Sequence, residues 1–220
     1  TSSILSKKIA SGLKSLILDV KVGNGSFNST IEISRELSQS LVSVAKGAGL
    51  KCEAIITDMN QVLGKSAGHT LEMLECIKYL KNEIKDYRLE KITNELISSL
   101  LMMVHKISKE DALKKIEEVL SNGAAAEKFE KMASALGGPK NILSTYETDL
   151  RNESTARDIF SDKEGWIEKI HTRELGLILI ELGGGRKQVS DKINYGVGYD
   201  SVISVGEKID STKPLLQLHS

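Results

Sequence analysis

The segment LILDVKVGNGSFNSTIEISRELSQSLVSVAKGAGLKCEAIIT, residues 16–57, decides the fold of this chain. It opens with the apolar run Leu16–Val22, which ends at Gly23–Gly25, and it closes with a second run, Cys52–Thr57. Short apolar runs bounded by glycine are typical of buried strands. Two strands are therefore predicted, with a longer segment between them.

That longer segment has the apolar spacing of an amphipathic helix. Ser29 followed by Glu32 has the spacing of a capping box, which predicts that the helix begins there. Gly47 and Gly49 predict its end. The residues expected on its buried face are Ile33, Leu37, Leu41, Val44 and Ala45.

Together these elements form a strand, helix, strand unit, for which parallel pairing through a right-handed crossover is expected. Ligand sites in parallel sheets lie beyond the carboxyl ends of the strands. We therefore expect a site near the loops that begin at Gly23 and Asp58. The triplet Gly23–Gly25 could cradle an anion, although the same triplet also forms ordinary turns.

The composition is that of an ordinary globular protein. Of 220 residues, 40% are hydrophobic and 27% are charged, enough for one core with a small appended domain. Thirty basic and thirty acidic side chains cancel, so no nucleic-acid or membrane partner is expected. Two cysteines are too few for a disulfide framework, which favours a cytoplasmic location. Because the sequence begins at Thr1, inside a predicted helix, we expect a fragment of a longer protein.

The opening segment Ser2–Ala10 predicts one short helix in which Ile4, Leu5 and Ile9 can face a core. Ser3 and Lys7 are four residues apart and therefore project from one face. A hydroxyl and an ammonium group are thus within reach of one polar ligand. The commoner interpretation is a helix cap and a solvated lysine.

Charged and aromatic residues interrupt the first strand and its loop. Asp19 and Lys21 share one strand face, where they could neutralise each other or mark a site. Phe27 follows the glycine triplet, and its commoner role would be that of a loop anchor packed on the core.

A further helix is predicted to begin near Gly68 or His69, with Leu71, Leu74 and Ile77 on its buried face. Glu75 lies off this face. It could pair with Lys78 on the surface or bind a hard cation together with carbonyls of the preceding loop. Spacing alone leaves both interpretations open. A zinc site is not indicated, because no second His or Cys suited to bind zinc lies near His69.

The sequence pattern divides the remaining chain into a helical part and a part rich in short strands. Residues 89–136 look wholly helical, with a break at Gly137–Pro139 and a polar connector to Asp158. From Phe160 onward short strands surround one helix, which opens at Thr172 and closes at the glycines before Arg186. The predicted fold class is α/β: a mixed sheet flanked by helices, with a C-terminal α+β, β-rich subdomain.

Five segments together resemble the pyrimidine nucleoside phosphorylases, and within that family the thymidine-specific members. The segments are ILSKKIASGL (residues 4–13), LILDVKVGNGSF (16–27), ITDMNQVLGKSAGHTLEM (56–73), HTRELG (171–176) and GGGRKQVSDKINYGVG (183–198). They run in order through nearly the whole chain, so the resemblance is more specific than any single motif.

The resemblance implies an enzyme that transfers the sugar of a pyrimidine nucleoside to inorganic phosphate, without an organic cofactor. Family members combine a small helical domain that holds the base with a larger α/β domain that holds phosphate, usually as homodimers. Residues 1–12 would be the last helix of the helical domain, 13–150 part of the α/β domain, and 151–220 the β-rich subdomain.

The resemblance also implies roles for six residues. Ser3 and Lys7 correspond to the residues that hydrogen-bond the pyrimidine, and Phe27 to the aromatic residue that lines the base pocket. In potassium-dependent relatives, loop carbonyls and one glutamate bind a monovalent cation. The corresponding residues are Leu63, Ser66 and Glu75.

No residue of this chain is assigned to the chemical step, because the family's phosphate-binding segments of the Lys-His-Ser-Thr-Gly-Gly type would lie before Thr1. We therefore expect these 220 residues alone to bind phosphate poorly and to catalyse little.

Three alternatives to this function stay open. A broader phosphorylase would also accept uridine, although Val22 and DMNQVLG favour the thymidine-specific group. A non-catalytic binding module is the second alternative. A biotinyl-type carrier is the third, although its Met-Lys-Met target is absent from the sequence.

Overall fold

The structure, a computed structural model, describes residues 2–150 and 154–220. Its α-helices are α1 (Ser2–Ala10), α2 (Ile31–Gly47), α3 (His69–Leu80), α4 (Tyr87–His105), α5 (Lys109–Ser121), α6 (Ala124–Ala135), α7 (Ile142–Asp149) and α8 (Thr172–Leu179). Its strands are β1 (Ser15–Val22), β2 (Lys51–Asp58), β3 (Ala156–Ile159), β4 (Gly165–Trp166), β5 (Gly198–Asp200), β6 (Lys208–Ile209) and β7 (Leu216–His219).

The predicted strand, helix, strand unit is confirmed by β1, α2 and β2. The two strands pair in parallel, from Ser15 opposite Lys51 to Val22 opposite Asp58. A buried apolar cluster lies beside them. Its fully buried members are Leu5, Leu41, Ala45, Leu50 and Cys52.

The start of α2 and its buried face both differ from the prediction. Thr30, not Ser29, caps the helix, because the Thr30 side chain accepts a hydrogen bond from the Ile33 amide. Ile33 and Val44 are 46% and 48% exposed. The buried residues of the helix are Ser34, Ser38, Leu41 and Ala45. Small side chains on this face allow a close approach to β1, where the Ser34 hydroxyl reaches the Lys21 carbonyl at 3.5 Å.

The prediction of α1 is confirmed, but only one of its three apolar residues is buried. Leu5 is 1% exposed, whereas Ile4 and Ile9 are each 43% exposed. A helix of nine residues has few turns with which to reach the core. Its contact with the core therefore depends on Leu5.

Three helices, α4 to α6, confirm the helical prediction for residues 89–136, with short breaks between them. At the start of α5, the Ser108 hydroxyl donates to Asp111, whose amide donates back to it. The predicted polar connector is partly wrong, because α7 forms within it. Ile142 and Tyr146 of α7 are buried with Ile77 in a second apolar cluster.

The C-terminal part confirms a β-rich subdomain, but its strands are short and begin earlier than predicted. Strand β3 starts at Ala156, before Phe160. Three strands form one antiparallel sheet in the order β3-β7-β5. Strands β4 and β6 pair separately. Helix α8 continues into a π-helical turn, Ile180–Gly184, that ends where Gly183 adopts a φ of 94°. The glycines therefore end a helix.

Two compact units make up the described chain. One contains the residues up to Asn60 with Leu89–Glu117, and the other contains Gln61–Arg88 with the residues from Glu118 onward. The three-domain division stays a prediction, and its boundary after residue 150 falls at Arg151–Glu153, which lie outside the described residues, as does Thr1. Among the helices described, none combines the length and the apolar character needed to cross a bilayer.

Candidate functional site

The loops that follow β1 and β2 contact each other beyond the carboxyl ends of these strands. The Met59 amide donates to the Val22 carbonyl at 2.6 Å, and the Gly25 amide donates to the Met59 carbonyl at 3.0 Å. Asn60 completes the contact, because its Oδ1 accepts from the Asn24 amide at 2.9 Å. Sequence reasoning expected this location but did not identify Asn60 as the residue that joins the loops.

Gly23 is needed at the first of these loops for two reasons. Its φ of 127° lies in the region that favours glycine. A Cβ atom built on it would also come within 2.7 Å of the Asn60 side chain. The turn therefore leaves room for the Asn60 side chain against the first loop.

Phe27, predicted by resemblance to line a base pocket, lies on the first loop and is 96% exposed. The interpretation as a loop anchor packed on the core is therefore wrong. Its neighbours hold the loop instead. The hydroxyl of Ser26 donates to the Lys21 carbonyl at 2.9 Å, and the Asn28 amide donates to that hydroxyl at 3.1 Å. The ring is thus presented outward on a loop that is fixed on both sides.

Ser3 and Lys7 lie one turn apart on α1, and both are exposed. Their side chains make no hydrogen bond or ion pair with another residue of the described ranges. Leu5, between them in the sequence, is buried and attaches the helix to the core. An ammonium group and a hydroxyl group therefore stand on an anchored helix with their hydrogen-bonding capacity available.

The predicted neutralisation of Asp19 and Lys21 is confirmed. The Lys21 Nζ lies 2.7 Å from Asp19 Oδ2 and donates to Thr57 Oγ1 at 2.9 Å. The Thr57 hydroxyl in turn donates to Asp19 Oδ1. This network joins β1 to β2 near their carboxyl ends, so it supports the loops structurally.

Glu75 faces the loop before α3 and does not pair with Lys78, which was one of the two interpretations left open by the sequence. Its Oε1 accepts from the Lys65 amide at 2.7 Å, and its Oε2 accepts from the Ser66 amide at 3.3 Å and from the Ser66 hydroxyl. Gly64 lies so close that a Cβ atom on it would be 2.5 Å from Oε1. The loop therefore encloses the carboxylate, and a side chain at position 64 would force the carboxylate to move.

Glu75 and Ser66 offer a hard cation a carboxylate and a hydroxyl oxygen side by side. Carboxylate, hydroxyl and main-chain carbonyl oxygens are the ligands that such ions take, and each carboxylate oxygen can accept from more than one partner. Ser66 and Glu75 are in direct contact, and half-buried Leu63 lies in the same loop. Residues 2–150 and 154–220 contain no group of three His, Cys, Asp or Glu side chains that could hold a metal. A cation here would therefore rely on loop oxygens beside Glu75.

An open pocket of about 320 Å³ gives access to Glu75. Its lining includes apolar Leu71 and Leu74 and charged Lys65 and Lys78. Glu75 is therefore half-buried beside an open pocket and is not sealed within the core.

The loop that encloses Glu75 is itself held by a distant segment. The Lys65 Nζ donates to Ser204 Oγ at 2.8 Å and to Glu207 Oε1 at 3.0 Å. Lys213 pairs with the other oxygen of Glu207 at 2.6 Å. Sequence reasoning missed this contact, because the residues are 142 positions apart and no local pattern joins them.

Opposing effects set the pKa of Glu207. Burial raises the pKa, but hydrogen bonds from Lys213, Lys65 and the Ser204 amide outweigh burial and lower the pKa to about 2 from the ordinary 4.5. The carboxylate therefore stays ionised at neutral pH and holds both lysines.

Main-chain hydrogen bonds continue the contact between the same two segments. The Ala67 and Tyr199 amides donate to each other's carbonyls at 2.9 and 2.7 Å. The Val202 amide donates to the Lys65 carbonyl at 2.9 Å. Gly198 permits this approach, because a Cβ atom on it would lie 2.5 Å from the Ala67 carbonyl oxygen.

Comparisons with known proteins cover most of the chain. A family model described as "Glycosyl transferase family, a/b domain" matches residues 2–126. A model described as "Pyrimidine nucleoside phosphorylase C-terminal domain" matches residues 166–220. The chain is 42% identical over 221 residues to a thymidine phosphorylase of Colwellia psychrerythraea, with 100% of this chain and 50% of that relative covered. The chain thus spans about half the length of the curated relative it matches.

Proposed function

The chain belongs to the pyrimidine nucleoside phosphorylase family, and we propose that the whole protein catalyses phosphorolysis of pyrimidine nucleosides. In that reaction a phosphate oxygen attacks the anomeric carbon of the sugar while the glycosidic carbon–nitrogen bond breaks. The products are the free base and a sugar 1-phosphate. The whole protein would act as a pentosyltransferase in pyrimidine salvage.

The observation that carries the proposal is the pair of available donors on α1. As the glycosidic bond breaks, negative charge develops on the leaving base and spreads to its carbonyl oxygens. Donors placed at those oxygens stabilise the transition state more than the ground state. The exposed side chains of Ser3 and Lys7, one turn apart, supply a hydroxyl and a charged donor of this kind. The exposed ring of Phe27 would cover one face of the base.

Thymidine is the substrate we propose, giving thymine and 2-deoxyribose 1-phosphate. The 42% identical thymidine phosphorylase supports this choice, as do Val22 and the string DMNQVLG. The second candidate is a broader phosphorylase that also accepts uridine. The ratio of kcat/KM for thymidine to kcat/KM for uridine separates the two.

We also propose that phosphate binding needs residues beyond these 220. No Lys-His-Ser-Thr-Gly-Gly segment occurs in the sequence, and the relative is twice as long. A homodimer, a cytoplasmic location and a potassium ion held by Glu75 with the carbonyls of Leu63 and Ser66 complete the proposal. Potassium would supply positive charge that orders this loop.

The test is phosphorolysis of thymidine by the whole protein and by variants of α1. Lys7→Ala should lower kcat/KM by about 100-fold, because the ammonium group would stabilise charge that develops in the transition state. Ser3→Ala should have a smaller effect in the same direction. Lys8→Ala is the matched control, since Lys8 is the exposed neighbour on the same helix.

Equal activity of the Lys7 and Lys8 variants would contradict the base-binding role of α1. If the unaltered protein released no base from thymidine or uridine in the presence of phosphate, the catalytic proposal itself would fail. A non-catalytic nucleoside-binding module would then explain the chain better.

A further inference from the structure

The loop from Gln61 to Ala67, called here the glutamate loop, is fixed at several points by one distant segment. That segment, from Tyr199 to Glu207, is called here the clamp segment. All of its contacts with the glutamate loop lie within one compact unit. At one end the Val205 amide donates to Gln61 Oε1 at 3.0 Å, and at the other Ala67 pairs with Tyr199.

Lys65 is the residue at which these contacts meet. Its amide donates to Glu75 at 2.7 Å, and its carbonyl accepts from Val202 at 2.9 Å. Its Nζ binds Glu207 at 3.0 Å and Ser204 at 2.8 Å. One residue is thus held by its amide, its carbonyl and its side chain, and only the amide contact is made to Glu75.

The clamp segment also sets the direction of a loop carbonyl. A trans peptide is planar, with its N–H and C=O on opposite sides. The Ala67 amide points to the Tyr199 carbonyl, so the Ser66 carbonyl in the same peptide unit points away from the clamp segment. The orientation of an oxygen assigned to the candidate cation site therefore depends on this contact.

We propose that the ion pair between Lys65 and Glu207 is a positioning device for the Glu75 site: it keeps the glutamate loop closed around the Glu75 carboxylate. Glu207 and Lys65 act through the loop and need not touch a bound ligand with their side chains. For its effect on potassium, the inference rests on the proposed cation site. For the shape of the loop, it rests only on the contacts above.

Two variants break the ion pair from opposite sides. Glu207→Gln keeps an oxygen for the Ser204 amide but removes the charge that binds Lys65. Lys65→Met keeps an unbranched side chain of similar length and leaves the main-chain contacts to Glu75 and Val202 in place. Glu181→Gln is the matched control, because Glu181 pairs with Lys187 in the same unit, outside the glutamate loop.

Hydrogen exchange of the whole protein measures loop closure without any cation. The Lys65 and Ser66 amides should exchange at least about tenfold faster in Glu207→Gln and Lys65→Met than in the unaltered protein, because local opening exposes them. Amides of α6 report whether each variant is folded and should not change. Unchanged exchange at Lys65 and Ser66 in a folded variant would overturn the inference.

A potassium titration measures the effect on the site. The thermal unfolding midpoint is followed as potassium chloride replaces choline chloride at constant ionic strength. In both variants, the potassium concentration that gives half of the maximal rise in the unfolding midpoint should increase about tenfold. This is the scale expected when a residue that holds a metal-binding residue in place is removed. Glu181→Gln should match the unaltered protein.

The two measurements separate the two proposals. If potassium does not raise the unfolding midpoint of the unaltered protein above its value in choline, the cation proposal fails. The hydrogen-exchange data alone then decide the inference. If the loop amides exchange faster but the potassium response is unchanged, the ion pair does not position the Glu75 site, and the inference is overturned.

Discussion

Single residues around Glu75 explain why the glutamate loop has its shape. Two amides and one hydroxyl converge on one carboxylate. Gly64 leaves the space that the carboxylate fills. Substitutions at Gly64 and at Glu75 should therefore act on the same interaction.

Gly64→Ala should lower the free energy of unfolding by about 1–3 kcal/mol, because the new methyl group displaces the carboxylate and leaves buried amides without an acceptor. Glu75→Ala should cost a similar amount. The double variant should be little worse than either single variant, since both remove one interaction. Denaturant unfolding of the unaltered protein, the two single variants and the double variant measures the coupling free energy between positions 64 and 75. Additive losses would show that the two residues act separately.

Glu207 predicts a dependence of stability on pH. Its pKa of about 2 in the folded protein lies below the ordinary value of 4.5. Ionised Glu207 therefore contributes stability at pH values above about 4.5, and this contribution decreases as the pH falls from about 4.5 towards 2. The difference in unfolding free energy between the unaltered protein and Glu207→Gln should be constant from about pH 8 to 5.5 and smaller at about pH 3. A difference that stays the same down to pH 3 would contradict this pKa.

Individual elements show where sequence patterns are informative and where they are not. The unit of β1, α2 and β2 was predictable because strand and helix periods differ and glycines mark each boundary. The rotation of the buried face of α2 was not predictable, because Ser34 and Ser38 are buried although serine is polar and was therefore expected on the exposed face. Helix α7 was missed for the same reason, since only a few apolar residues interrupt a polar stretch.

The close approach of the loop before α3 to β5 gives a prediction at this scale. Gly198→Ala should cost about 1–3 kcal/mol of stability, because its methyl group would meet the Ala67 carbonyl oxygen at 2.5 Å and Leu71 at 2.7 Å. Gly165→Ala in β4 is the control, since a Cβ atom there meets nothing within 4 Å. Thermal unfolding of both variants tests this, and equal midpoints would count against the contact.

At the scale of the whole molecule, the candidate site could be predicted only in part. The resemblance assigned roles to Ser3, Lys7 and Glu75 from local strings, and these roles stay predictions. It did not identify Glu207 or Asn60, whose roles depend on contacts between segments far apart in the sequence. Such contacts leave no periodic signal, so only the folded chain reveals them.

The 220-residue chain, expressed alone, should release thymine from thymidine at less than about 1% of the rate of the whole protein. The reason is that attack requires a positioned phosphate, and under the proposed function phosphate binding needs residues beyond these 220. Comparison of initial rates at equal concentration tests this. Turnover near that of the whole protein would refute the expected requirement for further residues.

The long separation between Lys65 and Glu207 has a consequence for biosynthesis. With 142 positions between them, a ribosome adding about 5–20 residues per second needs roughly 7–28 s to produce Glu207 after Lys65. Throughout that interval the nascent polypeptide presents the Glu75 region without its later partner. The Glu75 region therefore cannot mature before Glu207 has been synthesised, whereas β1, α2 and β2 can assemble much earlier.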